Sequence, residues 1–158
     1  MKKVTLLFLL VLPLLTTSCQ KEDTSWFTDN GWVEGILEYG NSYGGIGMQI
    51  DESGNISGIF KVDGYYYNHS ESWWEYRLYS SFDQLKELSS APSDGYVGNF
   101  LCDDIKCGVA RHHTRSWSNG PNSWYGPVNY TYYKFYMRKI NSYQFRAYVK
   151  EWYSESLD

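Results

Sequence analysis

The stretch YTYYKFYMRKINSYQFRAYVKEWY, residues 130–153, decides how this chain folds. Tyr133, Phe135 and Met137 form one apolar row, and Phe145, Ala147 and Val149 form a second. Alternate residues of a strand share a face, so both rows can meet one core only if the turn keeps them on the same side. A two-residue Asn141-Ser142 turn would set Met137 opposite Arg146 and mix the faces. A three-residue loop, Ile140 to Ser142, pairs Lys139 with Tyr143 and Met137 with Phe145. The outer face then places Tyr136 opposite Arg146 and Lys134 opposite Tyr148, two cation–π pairs worth about 0.5–1 kcal/mol when exposed.

The same alternation runs outward through the chain, with turn signals between apolar-periodic segments. Strands are expected near 32–39, 44–50, 56–63, 73–80, 95–102, 107–117, 130–139 and 143–153. Ile46, Met48 and Ile50 alternate, as do Ile56, Phe60 and Val62, and pairing Ile50 with Ile56 puts both sets on one face. One helix is expected over about 82–89. Ser81 and Gln84 fit a capping box, Phe82, Leu85 and Leu88 recur at spacing three, and Pro92 lies beyond. The fold class is therefore all-β, about eight antiparallel strands forming a small barrel or sandwich with one short helix. The strand count is similar to that of lipocalin-like barrels in architecture only, because no Gly-x-Trp strand opening is present and Gly31 and Trp32 are adjacent.

The N-terminus reads as an address. Met1-Lys2-Lys3 is basic, and Val4 to Leu15 is apolar except for Thr5 and Pro13. As a helix this segment rises about 18 Å, short of the ~30 Å needed to span a membrane, so a secretory signal fits. Thr16-Thr17-Ser18-Cys19 follows and resembles the lipobox of bacterial lipoproteins, with Thr16 where an aliphatic residue is usual. That resemblance implies cleavage before Cys19 and diacylglycerol on its thiol. Gln20-Lys21-Glu22-Asp23 resembles the surface-export signal of Bacteroidota lipoproteins. Residues 1–18 are thus expected to be a signal peptide, 19–29 a lipidated flexible tether and 30–158 a single β domain. Two or three acyl chains make anchoring effectively permanent. A ten-residue coil from Gln20 to Asp29 reaches about 17 Å, so the domain sits near the membrane. The expected place is the cell surface of an outer membrane, with a periplasm-facing location as the alternative.

Of 158 residues, 14 are basic and 18 acidic, and 19% are aromatic. The acidic balance argues against nucleic acid as a partner. Charge is unevenly placed: residues 19–104 hold 4 basic and 15 acidic residues, and 105–158 hold 8 and 3. A basic binding face and attraction between oppositely charged neighbouring strands both fit, and the second is the simpler. With Cys19 lipidated, Cys102 and Cys107 remain as an even pair in an oxidising compartment. A hairpin through Asp103 to Lys106 would set them opposite each other, with Phe100 facing Val109, and a disulfide is expected.

No nucleophile elbow, phosphate loop, zinc pattern or dinucleotide fingerprint occurs, so no catalytic residue, metal ligand or cofactor is assigned and the protein is read as a non-enzyme. Two aromatic-rich polar stretches stand out, Tyr65–Trp74 and Trp117–Tyr125. Flat rings beside amide, hydroxyl and carboxylate groups suit ligand contact, although rings in a β protein more often pack a core. Tyr66, Trp73, Trp74, Trp117, Trp124 and Tyr125 are the candidate ligand-binding residues. The function expected is an envelope-anchored module for a glycan or peptide. The alternatives are an accessory subunit of an envelope protein complex and a lipocalin-like carrier.

Overall fold

The computed structural model describes residues 24–38, 46–50, 55–61, 70–118, 121–122 and 124–157. The Cys19 lipobox, the 20–23 tether and Tyr66 lie outside them. In chain order the elements are α1 (Ser25–Asp29), β1 (Val33–Glu38), β2 (Ile46–Ile50), β3 (Asn55–Lys61), β4 (Ser70–Tyr79), α2 (Phe82–Glu87), β5 (Phe100–Leu101), β6 (Ile105–Ser118), β7 (Trp124–Lys139) and β8 (Gln144–Leu157). A five-stranded antiparallel sheet runs β1-β8-β7-β6-β4, and a three-stranded sheet runs β2-β3-β5. Among the described residues the sheets are not closed into a barrel; the fold is an all-β sandwich with two short helices.

One face of the large sheet packs on the small one. Leu37, Ile56, Ile59, Tyr76, Phe135, Met137 and Ala147 are fully buried between them. Gly108 lets β4 and β6 approach, since a Cβ there would collide with the carbonyl of Arg77. The opposite face carries a second core. Phe27 and Leu85 of the helices join Val109, Tyr132 and Tyr148 in one buried cluster, with Phe27 stacked on Tyr148 at 4.1 Å and close to Phe82 at 4.9 Å. Ser81 caps α2 as expected, its Oγ accepting from the Gln84 amide at 3.3 Å. The helix stops at Glu87, two residues early, because Leu88 turns extended.

Several expectations need correction. The segment 19–29 is not all tether, since Trp26 and Phe27 of α1 belong to the second core. The 95–102 strand shrinks to Phe100–Leu101, with Val97 held separately by paired backbone bonds to Tyr76 at 2.7 and 2.8 Å. Ile50 does pair with Ile56. The last hairpin keeps the expected faces but slides by two residues, to Lys139 opposite Phe145 and Met137 opposite Ala147. Asn141 is the reason. Its Oδ1 accepts the Tyr143 amide at 2.9 Å and its Nδ2 donates to Gln144 Oε1 at 2.8 Å, so the turn runs through Tyr143. A two-residue slip buries the same side chains, which leaves turn chemistry to choose. Tyr136 therefore faces Tyr148, Lys134 faces Lys150, and the two expected cation–π pairs do not form as directly opposed partners.

Cys102 and Cys107 are free and buried, and no disulfide joins them. The chain between them is a crossover rather than a hairpin. β5 pairs with β3 in the small sheet, whereas Cys107 pairs with Tyr79 and Tyr136 in the large one. Cys102 lies in the core between the sheets and Cys107 in the core under the helices, so Phe100 and Val109 are also on different sides. Burial pushes both thiols up to about 11.

Candidate functional site

The helices cover only the lower part of the outer face, at the level of Tyr136 and Tyr148. Higher up, the register of the long strands sets polar and aromatic residues in rows across the sheet. β4 alternates Glu71, Trp73 and Glu75 against Arg115, His113 and Arg111 of β6. β7 continues those rows with Val128, Tyr130 and Tyr132, and β8 with Leu157, Glu155 and Tyr153. The acidic half of the chain thus lies beside the basic half, strand against strand, which accounts for the uneven charge without a basic face. Glu34 of β1 and Arg146 of β8 repeat the pattern at 3.4 Å.

Glu75 is the centre. Its Oε2 accepts from Arg111 Nε at 3.1 Å and Nη2 at 2.6 Å, and His113 Nε2 lies 2.5 Å from the same oxygen. The Arg111 guanidinium sits 4.0 Å from the centre of the Tyr96 ring and 5.5 Å from that of Tyr130. Trp73 stacks on His113 at 4.6 Å and 25°, and Tyr130 meets the same imidazole edge-on at 4.4 Å. In the next row Tyr132 donates to Glu155 Oε1 at 2.6 Å and stacks with Tyr153 at 4.7 Å. Trp73 is 39% exposed, so part of it meets solvent while it stacks on His113.

The protonation states follow from this packing. Burial works to raise Glu75, but the Arg111 hydrogen bonds and charge, helped by His113, outweigh it and hold the carboxyl below its usual range. Burial lowers His113, with Arg111 adding to it and Glu75 opposing. Its Nδ1 is buried with no hydrogen-bond partner among the described residues, consistent with a neutral ring. On the other face His112 stacks on Trp74 at 4.1 Å, and burial together with His113 brings it down to about 4. Burial, the Glu155 bond and the Glu155 charge raise Tyr132, and burial first of all pushes Tyr96 up to about 12.

The expected site residues divide. Trp73 and Trp74 are consecutive in β4 and face opposite sides, Trp73 into the outer rows and Trp74 toward the core between the sheets. Trp117 pairs with Tyr125, and Ser118 with Trp124, so Tyr125 shares the outer face while Trp124 faces away. Arg115 lies 5.7 Å from the Tyr125 ring. Glu75, Arg111, His113, Tyr130, Tyr132 and Tyr153 were not anticipated. Their signal was present as charges four residues apart, Glu71 and Glu75 against Arg111 and Arg115, but it becomes legible only once β4 is known to pair with β6. Among the described residues no group of three or more His, Cys, Asp or Glu side chains could hold a metal. Comparison with known protein families, curated proteins and solved structures finds no match to this chain.

Proposed function

We propose that this protein is an envelope-anchored lipoprotein that acts as a binding module, taking an extended ligand on the upper outer face of its large sheet. The observation that carries this reading is the Trp73–His113–Tyr130 stack beside the Glu75–Arg111 pair. Three rings are held in fixed positions around a converged ionic group, and one of them, Trp73, stays exposed. Rings with two side-chain torsions give contact area at little entropic cost, and prior ordering lowers the cost of binding further.

The geometry suits the anchor inferred from Thr16-Thr17-Ser18-Cys19. The first described element is α1, which docks at Tyr136 and Tyr148. Tyr130 lies six residues further along β7, about 20 Å at ~3.3 Å per residue, and Tyr125 about 36 Å. The rings are therefore displaced along the strands from the point where a tether would enter. The small-ligand carrier reading calls for a closed sheet around a cavity, whereas the described strands form two open sheets. The accessory-subunit reading rests on a separate feature. The hairpin tip leaves Trp124 52% and Tyr125 68% exposed, and β8 beyond Val149 has no described strand on its outer edge.

Two measurements test the proposal. Cells fed radiolabelled palmitate are expected to label the protein, and a Cys19→Ala variant to leave the membrane fraction; an unlabelled protein that stays with the envelope removes the anchor. Purified protein on glycan and peptide arrays is expected to give hits that Trp73→Ala abolishes. Stoichiometric co-purification with an envelope protein, with no array hit, supports the accessory-subunit reading instead.

A further inference from the structure

Resting on that binding-module reading, we infer that the ligand is an uncharged oligosaccharide, laid across strands β4, β6, β7 and β8 with a sugar ring on Trp73. Three features of the face select this class.

The first is charge. Among the described side chains, from the Glu75 row upward the outer face holds two arginines, Arg111 and Arg115, and two glutamates, Glu75 and Glu155. There is no cationic excess to hold a uronate or sulfate. Arg111 in particular spends Nε and Nη2 on Glu75 and lays its plane against Tyr96, so it is not available to fork onto an anionic sugar.

The second is the place in the sheet. A peptide recognised by strand addition needs an open edge with unused backbone groups. Here β6 and β7 are flanked on both sides along the rows concerned, and what faces outward is side chain. Over these two strands a peptide would find rings but no ladder to join, and strand addition at the open edges, β4 or β8 beyond Val149, would run along the strands rather than across the rows.

The third is the chemistry and width of the face. The exposed part of Trp73 offers an apolar surface for the C–H side of a sugar ring. The carboxylates of Glu75 and Glu155 accept hydrogen bonds from hydroxyls, and both belong to residues whose positions are fixed by Arg111 and Tyr132. From Trp73 on β4 to Tyr153 on β8 is three strand spacings, about 14 Å at ~4.8 Å each, wider than one sugar ring. The ligand is therefore a chain of rings rather than a monosaccharide.

The experiment is affinity electrophoresis of the purified, folded domain through gels containing neutral polysaccharides (β-glucan, galactomannan, xyloglucan) or acidic ones (polygalacturonate, chondroitin sulfate), at low and high salt. A peptide array is run in parallel. The expected result is retardation by a neutral polysaccharide that salt does not relieve. Trp73→Ala and Tyr153→Ala should each weaken it at least about tenfold, while Trp124→Ala, on the opposite face, leaves it unchanged. Circular dichroism melts confirm that each variant folds, and two independent ring variants keep the test decisive if one does not. Retardation only by the acidic polymers, relieved by salt, overturns the inference and leaves the binding module standing. So does capture of peptides alone. Neutral retardation that neither ring variant changes overturns the assigned site. Failure to bind any polysaccharide or peptide overturns this inference and the binding-module reading together.

Discussion

The lower and upper halves of the large sheet's outer face are equally rich in rings and use them differently. Below, Phe27, Phe82, Tyr136 and Tyr148 pack ring on ring under two short helices, and Phe27 and Tyr148 are almost entirely out of water. Above, Trp73, Tyr130, Tyr132 and Tyr153 alternate with Glu75, Arg111, His113 and Glu155, and Trp73 and Tyr153 keep part of each ring in solvent. Rings packed on rings lose their value when the protein unfolds. Rings packed on ionic pairs, and left open on one side, contribute less to stability and remain free to meet a ligand. Aromatic content alone does not tell a core from a platform; the partner of each ring does.

The sharpest way to break this contrast is to truncate one ring from each half. Phe27→Ala removes a buried ring from under α1, and a loss of about 3–5 kcal/mol is expected by denaturant unfolding. If α1 undocks without such a loss, the lower half is not a core. Acid probes both faces next. The folded His112 has its pKa lowered to about 4, so its contribution is complete above about pH 6.5 and is lost as pH falls from there, when the unfolded chain takes up a proton that the folded one refuses. With partial exposure allowed for, the loss between about pH 6.5 and 4 is on the order of 2 kcal/mol. His112→Gln is expected to flatten that slope in urea melts. On the outer face His113, also held low by burial, adds to the same loss, and Glu75 adds its own only below the usual carboxylate range. The smallest effect belongs to Trp73→Ala, expected to cost about 1–2 kcal/mol of stability, since 39% of that residue is already in water. A loss comparable to that of Phe27→Ala would place Trp73 in the packing and end the distinction.

Much of the scaffold was legible in residue patterns because alternation is a local signal. Ile50 opposite Ile56 and the Ser81 cap both follow from a few neighbouring residues. The last hairpin shows the limit. Its faces were correct and its register was off by two, because burial is blind to a shift of one full period and Asn141 made the choice. The failures were of longer range. Cys102 and Cys107 look like hairpin partners in sequence, but the chain changes sheets between them, and nothing local reports that. α1 was missed because it is five residues long and lacks a side-chain cap, although two large rings, Trp26 and Phe27, are poor material for a solvated tether. For the candidate site, Trp73 was anticipated and Trp74 could have been separated from it, since consecutive strand residues cannot share a face. Glu75, Arg111 and His113 could not be assembled, because the pairing of β4 with β6 joins segments nearly forty residues apart.

The most direct test of the account is a titration of the isotope-labelled protein with a neutral oligosaccharide, following the indole N–H and backbone amide signals by NMR. The expected outcome is a shift of the Trp73 indole together with the amides of Glu75, Arg111, His113 and Tyr130, while Trp26, Trp32 and Trp124 stay where they are. Shifts gathered at Trp124 instead, or a spectrum that no oligosaccharide changes, would contradict it.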